Sequence, residues 1–167
     1  MALIKILNGI TPEFGEECYF SENATIIGDV VCGNKCSFWF QSVLRGDVNY
    51  IKLGDEVNVQ DGVIIHGTYK KNPTIIGDHV TIGHNAIIHG CTIKNNVLIG
   101  MGAIVLDQCI IESNSLIAAG AVVTMGTHVR SGEIYAGVPA KKIKEIPEGT
   151  NLKTIADQYI MYADWYQ

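Results

Sequence analysis

The stretch CTIKNNVLIGMGAIVLDQCIIESNSLIAAGAVVTMGTHVR, residues 91–130, decides the fold. Within it an aliphatic residue returns at every sixth position: Ile93, Ile99, Val105, Ile111, Ile117, Val123 and Val129. Two places before each stand Cys91, Val97, Ala103, Cys109, Ser115, Ala121 and Thr127, all small or β-branched. A repeat of six is the mark of a β-solenoid whose every slot is one short strand and a corner. Calling the aliphatic position i, residues i and i−2 share one face and point inward, while i−1 and i+1 point outward.

The same pattern extends toward the N-terminus in three further phases. Ile76, Ile82 and Ile88 form one block, Leu53, Val59 and Ile65 another, and Phe20, Ile26, Cys32, Phe38 and Leu44 the first. These blocks join by single slots of altered length. Leu44 to Leu53 carries three extra residues, Ile65 to Ile76 five extra around GTYKKNP, and Ile88 to Ile93 is one residue short. The eighteen slots, taken three to a triangular coil, give six coils, a prism roughly 30 Å long at about 4.8 Å per rung. Over residues 18–135 the chain resembles the left-handed parallel β-helix of the hexapeptide-repeat family. The expected fold is therefore all-β, a left-handed parallel β-helix over residues 1–140. Residues 141–167 would form a C-terminal unit, because Leu152, Ile155, Ala156, Tyr159, Ile160 and Ala163 follow helical spacing. That amphipathic helix should pack on the prism or on a neighbouring subunit.

Counting slots in threes finds vertical neighbours. Leu44, Ile65 and Ile88 share a column, and Arg45, His66 and His89 follow them at i+1. His66 and His89 thus stand one rung apart, pointing outward, close enough to lean onto one Zn²⁺ with bonds of about 2.0–2.1 Å. Val59 and Ile82 share a second column, with Asp61 and His84 at i+2 and Gln60 beside Asp61. His84 lies on a different face of the triangle, so it can complete a three-histidine site only across a subunit interface. His79 and His128 have no such partners and read as surface or corner residues. All five cysteines, Cys18, Cys32, Cys36, Cys91 and Cys109, fall at i or i−2 and read as small buried hydrophobes. Their odd number rules out a complete set of internal disulfides.

Composition narrows the function. The 167 residues are 47% hydrophobic and only 17% charged, with net charge −5 and a pI near 5.4. That balance argues against nucleic acid as a partner, which would call for a basic protein. No apolar run reaches the length of a membrane span, and MALIKILNG is too short for a signal peptide, so the expected address is cytoplasmic.

The stretches VLRGDV (43–48), NVQDGVIIHG (58–67) and TIGHNAIIHG (81–90) resemble the γ-class carbonic anhydrase family. The resemblance implies a homotrimer of β-helices with Zn²⁺, or Fe²⁺ or Co²⁺ in its place, between subunits. His66 and His89 would come from one subunit and His84 from the next. Gln60 would hydrogen-bond the metal-bound water, with Asn58 positioning substrate. Arg45, Asp47 and Asp61 would make charged contacts across the interface that hold the ligands; a plain oligomer salt bridge is the alternative for Arg45 and Asp47. The implied chemistry is hydration of CO₂ to bicarbonate, using water whose pKa the metal lowers to about 7.

The chain departs from the family pattern at two places. A glutamate would directly follow the Arg-x-Asp segment, where this chain has Val48, and another would lie in an acidic loop where GTYKKNP is short and basic. The usual proton shuttle is missing, leaving Tyr135, Tyr159 and Glu56 as candidates. Two other functions fit a solenoid of this kind. One is a hexapeptide acyltransferase using a CoA thioester, since GVPAKK (137–142) is similar to a motif that ends many such enzymes. Lys141 and Lys142 would then meet the cofactor's phosphates. The other is a non-catalytic metal-binding assembly subunit.

Overall fold

Strands of two or three residues recur along the chain because each hexad supplies one inward aliphatic residue before a corner turns it. In the computed structural model, which describes residues 1–166, these strands stack in parallel, while Gln167 lies outside the described residues. The register matches the columns read from the hexads. Phe20 pairs with Phe38, Phe38 with Val59, Val59 with Ile82, Ile82 with Ile99 and Ile99 with Ile117. The second wall runs through Ile26, Leu44, Ile65, Ile88, Val105 and Val123. The third runs through Cys32, Leu53, Ile76, Ile93, Ile111 and Val129. Nearly every i and i−2 residue is buried, so the core is a single column of aliphatic side chains down the axis.

The solenoid has about seven turns where six were expected. The added turn lies at the two ends. Leu3–Lys5 pairs with Thr25–Ile27, and Glu13–Phe14 with Val31–Cys32, below the first counted coil. At the other end Ile134 and Tyr135 stack on Leu116 and Ile117. The first turn is hidden in the sequence because it has no partner beneath it, which leaves Ile4 44% exposed, and because its spacing is irregular.

One corner of the triangle carries its own polar spine. The backbone N–H groups of Glu16, Asn34, Asp55 and Asp78 donate to the side-chain oxygens of Asn34, Asp55, Asp78 and Asn95, at 2.7–3.1 Å. Asn and Asp serve here because a short side-chain acceptor reaches the next rung's amide. The residue that follows each, from Glu17 to Lys35, Glu56 and His79, has φ near +55°. A Cβ at Gly33 would lie 2.1 Å from the Asp55 carboxylate, so the rungs pass too closely there for any side chain.

Past the solenoid, Lys141–Glu145 forms a strand antiparallel to Glu133–Ala136, and the helix follows at Lys153–Asp164. The helix packs on its own prism. Leu152, Ala156 and Ala163 are buried, and Tyr159 and Tyr162 join Tyr19, Trp39 and Phe40 in a second apolar cluster. Among the described residues no helix is long and apolar enough to cross a membrane.

Candidate metal centre

Stacking delivers the first two histidines. Ile64–His66 pairs with Ile87–His89, with His66 opposite His89. Their ring centroids are 5.2 Å apart, and His66 Nδ1 is 3.2 Å from His89 Nε2. Two nitrogens bound to one tetrahedral zinc with bonds of about 2.0–2.1 Å would stand about 3.3 Å apart. Each ring is held from behind. His66 Nε2 lies 2.9 Å from Asp47 Oδ1, and His89 Nδ1 lies 3.0 Å from Asp107 Oδ1. A carboxylate on the far nitrogen fixes the tautomer and orientation of a ligating imidazole. The pair therefore fits a metal by spacing, by donor chemistry and by the groups behind it.

Asp107 is a site residue that sequence reading missed. It stands at i+2 of Val105, which stacks directly on Ile88, so it lies one rung on from His89 and one residue beyond the histidine column, whose own next member is Leu106. Its Oδ1 also accepts from the Thr68 hydroxyl at 2.9 Å, tying the GTYKKNP loop to the site. That loop is closed by Thr68 pairing with Asn72, and Lys70 N–H donates to Val48 O at 3.3 Å. Partial desolvation pushes the Asp47 carboxyl up. The hydrogen bond to His66 and the Arg45 guanidinium outweigh it and hold Asp47 below the usual carboxylate range.

The third histidine stands elsewhere. His84 Nδ1 is 2.7 Å from Asp61 Oδ2, and its Nε2 is 3.5 Å from the Tyr159 hydroxyl. Among the described residues, the three histidines do not bring ligand atoms within 4.8 Å of one another. Beside His84 runs a buried amide chain. Asn58 donates to the Thr81 hydroxyl at 2.8 Å, Gln60 donates to Asn58 Oδ1 at 3.0 Å, and His84 N–H donates to Gln60 Oε1 at 3.2 Å. Asn58 and Gln60 are 1% and 4% exposed although they face away from the core. An apolar groove of about 380 Å³ opens against Gln60 and His84, walled by Leu98, Met101, Leu116, Ile155 and Tyr159.

Of the shuttle candidates, only Tyr159 touches one of these histidines. Burial, followed by the charge of Asp61, pushes its hydroxyl up to about 12. Tyr135 lies at the far end of the solenoid, stacked on Ile117, with its hydroxyl also raised by burial. Glu56 is engaged by His79 at 2.8 Å and Lys153 at 3.2 Å. Arg45 pairs with Asp47, and Asp61 with His84, inside the chain. His79 sits on the polar corner and His128 pairs with Glu112 on the surface, as expected of both. Lys142 is taken up by Glu133 and Glu145, while Lys141 stays exposed.

The family profile described as "Bacterial transferase hexapeptide (six repeats)" matches residues 90–124. A carbonic anhydrase of Geobacillus kaustophilus is 37% identical over 95% of this chain and 88% of its own length. The mitochondrial gamma carbonic anhydrase 1 of Arabidopsis thaliana is 42% identical over 82% of this chain, which spans about half of that protein (52%). A crystal structure described as a hexapeptide transferase family protein from Anaplasma phagocytophilum superposes with a TM-score of 0.94. It is 40% identical, with 99% of this chain and 98% of that one covered.

Proposed function

The chain belongs to the γ-class carbonic anhydrase family, and from that premise we propose that it interconverts CO₂ and bicarbonate at a metal held between the subunits of a homotrimer. The observation that carries this reading is the facing His66–His89 pair, each ring backed by a carboxylate, together with a third histidine out of reach in the same chain. In the homotrimer of this reading, heterologous contacts close into a ring and bring His84 of one chain to the pair of the next. Zn²⁺, or Fe²⁺ or Co²⁺ in its place, supplies there the Lewis acidity that makes water a nucleophile near neutral pH.

The chain's own residues do the rest. Asp47, Asp107 and Asp61 orient the three imidazoles and keep their free nitrogens turned outward. Gln60, anchored through Asn58 to Thr81, presents a fixed amide beside His84 to orient the attacking oxygen. The apolar groove admits a small nonpolar substrate such as CO₂ without offering it a competing charge. Proton export is the weak step. A tyrosine held near 12 is poorly matched to proton transfer at pH 7, and no glutamate stands at Val48 or in the GTYKKNP loop. Turnover should therefore depend on buffer concentration.

The test is metal analysis of the purified protein combined with stopped-flow CO₂ hydration and a solution mass. One metal per chain, a trimer mass and buffer-dependent hydration lost in His89→Ala are expected. A metal-loaded monomer, or a loaded trimer that does not hydrate CO₂, overturns the reading. The same groove supports a second reading, transfer from a CoA thioester, because its apolar walls could take a pantetheine arm. Saturable binding of acetyl-CoA in calorimetry would favour that reading.

A further inference from the structure

Three of the five cysteines converge on one corner of the prism. Cys18 and Cys36 occupy the same place in successive coils, two residues before Phe20 and Phe38, which pair directly. Cys32 ends the strand that enters the Gly33–Asn34–Lys35 corner, so the segment reads CGNKC. The three Sγ atoms lie within 4.8 Å of one another, with Cys18 and Cys32 3.9 Å apart. Among the described residues this is the one group of three such ligands that converges within the chain.

The other two cysteines do not join this group. Cys91 and Cys109 sit further along the prism, and burial pushes both thiols up, as for a small core residue. At the corner the thiols face backbone carbonyls, with Cys18 Sγ 3.3 Å from Gly33 O and Cys36 Sγ 3.1 Å from Gly54 O. The corner is also rigid, because the Asn34 and Asp55 side chains bind the rungs on both sides of it.

We propose that Cys18, Cys32 and Cys36 form a trigonal thiolate site for a soft monovalent d¹⁰ cation of the copper(I) class, independent of the histidine centre. Soft thiolates select such ions. Two metal–thiolate bonds of about 2.3 Å at 120° span about 4 Å, which the Cys18–Cys32 separation of 3.9 Å matches, and the third sulfur lies within 4.8 Å of both. Structural zinc calls for four ligands, and among the described residues no fourth His, Cys, Asp or Glu joins this group. A disulfide would need Cys18 and Cys32 to close from 3.9 Å to about 2.05 Å and would strand the third thiol. On binding, three S–H bonds break, three protons pass to solvent and three metal–sulfur bonds form, with no change of oxidation state. Access is from the first coil, where Cys18 is half-buried, and from a cavity of about 110 Å³ bordered by Cys36 beneath the C-terminal helix.

The test uses reduced full-length protein under anaerobic conditions, titrated with Cu⁺ against a chromophoric Cu⁺ chelator. A His66→Ala/His89→Ala variant removes the imidazole pair from the competition. One equivalent per chain is expected in both proteins, with an ultraviolet thiolate-to-metal absorption band. In Cys18→Ala and Cys32→Ala, affinity should fall about 100-fold or more. In the wild-type chain, one equivalent should suppress iodoacetamide labelling of Cys18, a readout that does not depend on any variant folding. Labelling unchanged by Cu⁺, uptake that survives both cysteine variants, or binding of Zn²⁺ in preference to Cu⁺ overturns the assignment. So does a protein that recovers as a Cys18–Cys32 disulfide and takes up no copper after reduction.

Discussion

The histidine column and the cysteine corner are built by the same stacking rule and end in opposite conditions. Outside the prism, one rung of translation sets His66 against His89, and two carboxylates hold the far nitrogens. Inside it, one rung sets Cys18 under Cys36, and the neighbouring strand adds Cys32. The outward column brings two nitrogens together within the chain, whereas the inward corner brings three sulfurs together. The difference follows from direction. Inward side chains from adjacent walls meet across a narrow corner, but outward side chains from adjacent walls diverge. Within one solenoid, three side chains from adjacent walls can thus converge inside a corner, while outward side chains on two walls stay apart.

The strongest way to break that contrast is to ask whether ligands are shared. His66→Ala and His84→Ala should each lose nearly all metal from the histidine centre. Refolded together in equal amounts, they should regain about a quarter of full loading, because each interface needs the right chain on each side. Metal content by mass spectrometry of mixed trimers is the readout, and no recovery in verified mixed trimers would sink the shared site. The cysteine corner should keep its behaviour in every one of these mixtures.

Next in size is the shared foundation. Ile88 is fully buried and immediately precedes His89. Ile88→Ala should lower stability by about 2–5 kcal/mol through the cavity it leaves. Because both clusters hang on one column of core residues, denaturant should expose Cys36 to labelling in the same transition that releases the histidine metal. Two separate transitions would mean that the coils do not unfold as a unit.

Asp107 gives a smaller and more selective effect. Asp107→Asn removes the charge behind His89 and should weaken the histidine-bound metal about 10–100-fold in a chelator competition. Cu⁺ uptake at the corner should not change. The smallest effect is expected at Tyr159. With its hydroxyl near 12 it stays protonated at neutral pH, so Tyr159→Phe should alter buffer-saturated hydration by no more than about a few-fold. Val48→Glu should instead raise the rate at low buffer, by restoring a group that titrates nearer the working range. Equal rates in both variants would remove proton export as the limiting step.

Much of this could be read without coordinates, for a physical reason. A six-residue period ties each residue to one eighteen on, so slot counting fixes the neighbour above and below. Ile65 on Ile88 and Val59 on Ile82 emerge from that count, and with them His66 against His89. What it misses are contacts between walls and beyond the repeat. Tyr159 reaches His84 from a helix whose docking depends on Trp39 and Tyr19, not on any period. Cys32 meets Cys18 and Cys36 around a corner, where side-chain torsions decide and spacing is silent. Residues 141–145 continue the sheet because a reversed strand can bond to the last rung, a fact that hydropathy does not encode. The first turn, with no coil below it, shows no inward periodicity to detect.

That reversed strand has a further consequence. A stack of parallel rungs is in principle endless, since each rung presents to the next the same row of open backbone groups that it received. Lys141–Glu145 answers that row with a strand running the opposite way, exposed along its whole length and carrying Lys141, Lys142 and Lys144. Another molecule's first coil arriving there would find its direction mismatched and a cluster of positive charge in its path. Along this wall the tail therefore closes the end of the stack against a further rung.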